Sequence, residues 1–102
     1  MRAAIENFEK IKADNKILIL GAMAELGDES LYEHEEIVKL LKRHNWKQVI
    51  LVGGDFLKID TPFKTFDNSL KAKEWYKSQR YENAYMLIKG SRSMQMERVL
   101  EN

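Results

Sequence analysis

The sequence contains no cysteine. That excludes a disulfide framework, a cysteine-based zinc knuckle and a thiol nucleophile together. A single proline, Pro62, and five glycines are too few to build a linker, and no internal repeat or low-complexity tract occurs. Charge of one sign is missing as well. Lys and Arg total 17 against 16 Asp and Glu; residues 1–52 carry 8 basic and 9 acidic side chains, and residues 53–102 carry 9 and 7. Neither half has the footprint of a nucleic-acid or polybasic membrane binder. The longest apolar run, Ile17 to Met23 with Gly21 inside it, is far below the ~20 residues of a membrane span. The N-terminal Met-Arg-Ala-Ala-Ile-Glu-Asn-Phe holds an acid where a signal peptide is purely apolar. A soluble cytoplasmic protein is therefore expected, with no nucleic acid and no membrane as partner. Its 102 residues, 44% apolar and 32% charged, suit one small domain with one core.

What is present alternates helix and strand. Ala4, Phe8 and Ile11, with Ile5 beside them, predict an amphipathic helix over residues 2–12. Lys16–Gly21 is an unbroken run of Ile and Leu, the pattern of a strand covered on both faces. A loop of small residues, Gly21–Gly27, follows. Ser30 with Glu33 then fits a capping box for a helix reaching about His44. Gln48–Gly53 reads as a second buried strand, and Thr65-Phe66 as a short one within the irregular stretch 55–67. Asn68 or Ser69 caps a third helix whose Ala72, Trp75 and Tyr76 share a face. Ala84–Lys89 is the third clear strand, and Gly90–Ser93 turns into a last helix bearing Met96, Val99 and Leu100. The sum is a three-layer, Rossmann-like α/β domain with a mostly parallel sheet.

In open parallel sheets, ligands bind beyond the carboxyl ends of the strands. Three loops qualify here: Gly21–Ser30, Gly53–Phe56 and Lys89–Ser93. In the last, Gly90 permits close backbone approach, and Ser91 and Ser93 offer hydroxyls and can cap the helix expected near Met94. Lys89 and Arg92 add two cations, a set suited to a carboxylate or phosphate. The plainer alternative is a strand-to-helix turn with two solvated charges, and spacing alone favours it, since no P-loop spacing is present. Glu25 suits an amino group or sugar hydroxyl, or equally the loop amides around it. His34, without a second ligand at metal spacing, reads first as structural. Gly53-Gly54-Asp55 reads as a simple turn before a nucleotide contact. Trp46, Trp75 and Tyr76 read as packing residues, and the five methionines as core or loop filler. No catalytic triad, paired-carboxylate motif or metal site emerges.

The order of these segments nevertheless resembles a known family. Ile19-Leu-Gly-Ala-Met-Ala-Glu-Leu-Gly27, His34 in the next helix, Leu51-Val-Gly53 with Phe56, and Leu87-Ile-Lys-Gly-Ser-Arg92 with Met94, Met96-Glu97 and Val99 are similar to the C-terminal domain of the Mur ligases, of the MurF type. The likeness runs from Met1 to about Leu100. The L-G-x-M-x-E-L-G loop followed by a helix His, and the K-G-S-R-x-M-x-M-E segment, are specific only together. The resemblance implies one domain, residues 1–102, excised from a three-domain cytoplasmic ligase of peptidoglycan synthesis. That enzyme uses ATP and Mg2+ to add D-alanyl-D-alanine to UDP-N-acetylmuramoyl-tripeptide through an acyl phosphate.

The family's P-loop, metal ligands and carbamylated lysine lie in its central domain, and the UDP end of the substrate in its first. No G-K-S/T occurs in this chain. The resemblance therefore implies a closing and substrate-binding domain that is inactive alone and holds no cofactor of its own, with the central and N-terminal domains as partners. By position, Lys89, Gly90, Ser91 and Arg92 match the family's K-G-S-R turn; Gly21, Met23 and Glu25, with Leu26 and Gly27, match its loop, and His34 its helix His. These are the expected substrate-binding residues, none of them catalytic. Two departures stand out. Ala22 occupies a position where the family commonly has Asp. The family's opening strand and its D-x-Y-N-x-N-P-x-S-M loop are represented only by Met1. Were that strand central, its loss would leave unpaired edges, and pairing with a second copy or a rearranged sheet is then expected. Two other readings compete: a stand-alone Rossmann-like module binding an anionic small molecule without catalysis, and an interaction domain recruiting a protein through a sheet edge or helix face.

Overall fold

The structure, a computed structural model, describes residues 1–24, 26–81 and 83–100, without the side chain of Ser93. Its elements are α1 (Arg2–Glu9), β1 (Lys16–Gly21), α2 (Ser30–Lys42), β2 (Gln48–Val52), β3 (Lys64–Phe66), α3 (Ser69–Gln79) and β4 (Tyr85–Lys89). Short 3-10 turns occupy Gly27–Glu29, Gly54–Lys58, Arg92–Met94 and Met96–Leu100. The strands form one sheet in the order β3-β2-β1-β4, parallel throughout. β1 lies inside it, with Ile19 level with Ile50 on one side and Ile88 on the other.

Every residue of β1 is buried, as the unbroken apolar run requires. Side chains alternate across the pleat. Leu18, Leu20, Val49 and Leu51 face α1 and α2, meeting Ile5, Phe8, Ile37, Leu41 and Phe56. Ile17, Ile19, Ile50 and Val52 face the other layer, meeting Ala72, Met96 and Val99 with Trp75 and Tyr76 against them. The three-layer parallel architecture is thus as expected, and the short strand falls at Lys64–Phe66. Asn68 caps α3, its Oδ1 accepting from the Lys71 amide at 3.0 Å.

Four local expectations change. First, α1 ends at Glu9 instead of residue 12. The Lys16 ammonium, arriving from β1, donates to the Glu9 carbonyl at 2.8 Å and the Phe8 carbonyl at 3.4 Å, stopping the helix there. Ile11 lies past that end, 40% exposed, so Ile5 and Phe8 carry the buried face. Second, the capping box does not form. The turn Gly27–Glu29 runs directly into α2, so Glu29 takes the N-cap position without a side-chain bond and Ser30 falls inside the helix, its hydroxyl 3.5 Å from the His34 Nδ1. Third, the last helix is replaced by two 3-10 turns separated by Gln95, which adopts a left-handed conformation (φ 48°, ψ 50°). Met96 and Val99, three apart, are still buried, whereas Leu100 is 55% exposed. Fourth, among the described residues the sheet is continuous: β1 is paired on both sides, and β3 and β4 are its outermost strands.

Candidate functional site

Because β1, β2 and β4 are parallel, their carboxyl ends open on the same side of the sheet. The loops leaving them are tied together by backbone hydrogen bonds. The Ser91 amide donates to the Ala22 carbonyl at 3.2 Å, and the Ala22 amide to the Val52 carbonyl at 2.9 Å. A cleft of about 490 Å³ lies there, lined by Met1, Met23, Ala24, Lys89, Gly90, Ser91 and Arg92. Its chemistry is cationic at one wall, where Lys89 and Arg92 are exposed, and apolar where the two methionines stand. An anionic group has two charge-assisted donors within this wall.

The close fit of the loops depends on two glycines. At Gly90 a Cβ would stand 3.0 Å from the Gly21 Cα and 2.7 Å from the Met96 Cγ, so two backbones meet with no side chain between them. Gly53 has φ 74° and ψ −177°, a region essentially restricted to glycine. Its amide donates to the Phe66 carbonyl at 2.8 Å, and a Cβ there would reach 2.4 Å from the Met94 methyl and 3.3 Å from the Asp67 carbonyl. Gly53→Ala is accordingly expected to destabilise the fold by about 1–3 kcal/mol through backbone conformation alone, and to displace Met94. A thermal midpoint unchanged from wild type would show that the β2 loop has another conformation.

His34 is fully buried behind the first loop. Its Nε2 accepts from the Met23 amide at 2.9 Å, and a backbone amide can only donate. The proton therefore sits on Nδ1, which donates to the Ser30 carbonyl at 2.7 Å. The Phe56 ring meets the imidazole edge-on at 4.6 Å between centroids. His34 thus bears on the cleft through Met23, whose backbone it holds in place. Asp55, beyond β2, is committed locally: its hydrogen bond with Ser30 and then its 3.0 Å ion pair with Lys58 hold its carboxyl below the usual carboxylate range. The Gly53-Gly54-Asp55 segment is not among the residues lining the cleft.

Of the eight site residues expected from sequence, Lys89, Gly90, Ser91, Arg92 and Met23 line the cleft, Gly21 lies directly beneath Gly90, and His34 stands behind. Glu25 lies outside the described residues. Sequence reasoning missed Ala24 and Met1. Met1 precedes α1 and reaches the cleft because that helix packs along β4, a placement that only the topology reveals. Met94 and Met96 form the floor under Gly21, Gly53 and Gly90, filling irregular space as methionines do. Among the described residues no group of three or more His, Cys, Asp or Glu is placed to hold a metal ion. Among them, too, no helix is long and apolar enough to cross a membrane.

No family model matches the chain. Individual proteins do. The UDP-N-acetylmuramoyl-tripeptide–D-alanyl-D-alanine ligase of Rickettsia prowazekii is 32% identical over 107 aligned positions, covering 99% of this chain and 24% of that protein. The ligase of the same name from Buchnera aphidicola is 33% identical, covering all of this chain and 23% of its own length. The crystal structure of MurF ligase from Thermotoga maritima in complex with ADP superposes with a TM-score of 0.78 at 25% identity, over 98% of this chain and 24% of that one. The chain spans about a quarter of the length of these relatives. Sequence and fold agree: this chain is a homologue of the C-terminal region of the UDP-N-acetylmuramoyl-tripeptide–D-alanyl-D-alanine ligases, the MurF type of Mur ligase.

Proposed function

We propose that the chain is the closing and substrate-binding domain of a longer cytoplasmic ligase that joins D-alanyl-D-alanine to UDP-N-acetylmuramoyl-tripeptide in peptidoglycan synthesis. The observation that carries this reading is the placement of Lys89 and Arg92 around Gly90-Ser91 at the cleft formed with the β1 loop. In a ligase of this kind ATP activates a carboxyl group as an acyl phosphate. The amine of the incoming dipeptide attacks it and phosphate leaves. The chain's own residues contribute binding and orientation. Arg92 and Lys89 hold the dipeptide carboxylate, the amides of the Gly90-Ser91 turn assist, and Met23 with Gly21 shapes the wall that His34 supports from behind. Glu25 belongs to the same loop and is proposed to share in substrate binding. By the resemblance to the Mur ligases, ATP and Mg2+ are assigned mainly to the other domains of the ligase. Those domains are the partners over which this one closes.

The test is phosphate release dependent on ATP and D-alanyl-D-alanine, measured for the 102-residue chain alone and for the longer ligase containing it. Activity only in the longer protein supports the reading, whereas turnover by this chain alone overturns it. Within the longer ligase, Arg92→Ala removes a charge-assisted hydrogen bond worth about 1.5–3 kcal/mol, a loss of roughly 10- to 150-fold in kcat/KM. Wild-type kinetics for that variant would remove Arg92 from the site. Anion binding by the isolated chain, with no effect of Arg92→Ala on the ligase, would favour the stand-alone binding module.

A further inference from the structure

The peptide unit between Ala22 and Met23, just past β1, is held at both of its polar atoms. Its carbonyl, on Ala22, accepts from the Ser91 amide at 3.2 Å, and its N–H, on Met23, donates to His34 Nε2 at 2.9 Å. The other ring nitrogen, Nδ1, donates to the Ser30 carbonyl at 2.7 Å. Ser91, this peptide, the imidazole and Ser30 therefore form one line of hydrogen bonds, running from the K-G-S-R turn to the first turn of α2. Every N–H in the line points the same way, so each bond polarises the next. The opposite tautomer would set N–H against N–H at Met23 and a bare lone pair against the Ser30 carbonyl.

The line is stiff at both of its middle members. His34 is fully buried on α2, with the Phe56 ring edge-on to it at 4.6 Å. The peptide is planar, so any turn that moves the Met23 N–H away from His34 also swings the Ala22 carbonyl under Ser91. The Ala22 amide, fixed to the Val52 carbonyl at 2.9 Å, is the pivot. The turn that rests on the carbonyl places Ser91 between Gly90 and Arg92, with Gly90 seated directly on Gly21. His34 itself is not among the residues lining the cleft.

We propose that His34 is a positioning residue for Arg92: by orienting the Ala22–Met23 peptide it sets the height of the Ser91 amide, and with it the place of the guanidinium at the cleft. The inference deepens the proposed function and rests on its assignment of the dipeptide carboxylate to Arg92 and Lys89. Two substitutions separate this role from simple packing. The side-chain amide of Gln reaches the place of Nε2 and can accept from Met23, whereas that of Asn reaches only the place of Nδ1. In the longer ligase, His34→Asn is expected to raise the KM for D-alanyl-D-alanine by roughly 2- to 13-fold, the worth of one net hydrogen bond. The kcat changes little, because a displaced arginine weakens ground state and transition state alike. His34→Gln recovers most of the loss. In an Arg92→Ala background the effect of His34→Asn shrinks to less than about 2-fold, since the group being positioned is gone. Effects of His34→Asn and Arg92→Ala that simply multiply, or equal KM values for the Asn and Gln variants, overturn the proposal.

Hydrogen exchange at the Ser91 amide reads the same line without the reaction. Exchange is expected to be faster in His34→Asn than in His34→Gln or wild type, and an unchanged rate in His34→Asn overturns the proposal. Accelerated exchange together with wild-type kinetics for Arg92→Ala supports the line of hydrogen bonds and overturns the dipeptide assignment alone. Should His34→Asn fail to fold, the ring-nitrogen resonances of the wild-type chain decide. A protonated Nδ1 and a bare, hydrogen-bonded Nε2 are expected, and the opposite tautomer overturns the proposal.

Discussion

Phe56→Ala is expected to cost about 3–5 kcal/mol of folding stability, a large part of the ~5–15 kcal/mol available to a domain of this size. Phe56 is fully buried in the 3-10 turn after β2, within the cluster formed by α1, α2 and one face of the sheet. Its removal leaves a cavity lined by residues that cannot all move in, because β1 and β2 are held by their ladders. It also takes away the edge-on partner of His34, whose ring carries the Met23 amide on one nitrogen and the Ser30 carbonyl on the other. The loss therefore extends from the core to the cleft wall. Denaturant unfolding should show a lower midpoint with an unchanged slope, the sign of lost stability in an otherwise similar native state. A loss under about 1 kcal/mol would mean that the β2 turn is not anchored by this ring.

The sheet was legible in the sequence because burial on both faces demands what Lys16–Gly21 and Gln48–Val52 display, an apolar run without alternation. The cap at Asn68 was legible because it is local: the acceptor and the amide it serves are three residues apart. One misread end was set from a distance: nothing near Glu9 announces that Lys16 will reach its carbonyl. The other was set by the adjoining turn Gly27–Glu29, which makes Glu29 the N-cap and leaves Ser30 inside α2. Gln95 breaks the expected last helix through its left-handed backbone, while the three-residue spacing of Met96 and Val99 satisfies a 3-10 turn as well as a helix. At the site, the K-G-S-R turn was visible as chemistry, but its neighbours were not. Met1 enters the cleft through the packing of α1 along β4, and His34 faces inward to hold a loop, neither of which spacing encodes.

Phe8→Ala is expected to cost a similar amount, about 3–5 kcal/mol, but at the opposite end of the sheet and without touching the cleft. Phe8 is 6% exposed and stacks on Trp46 with centroids 6.0 Å apart and planes 11° from parallel. The Lys16 ammonium, which closes α1, lies 5.9 Å from this ring and 5.1 Å from that of Trp46. Truncation thus opens a cavity, unstacks the indole and strips one face from a cation that is itself 9% exposed. Trp46 keeps its hydrogen bond to the Leu41 carbonyl at 2.9 Å, which limits how far it can fall into the space. The contrast with Arg92 separates core from site. Phe8→Ala should lower the unfolding midpoint and leave the kcat/KM of the folded ligase unchanged, while Arg92→Ala should do the reverse. If Phe8→Ala lowered kcat/KM at a temperature where the protein stays folded, α1 would be transmitting to the cleft through Met1, and the helix would belong to the binding surface as well as to the core.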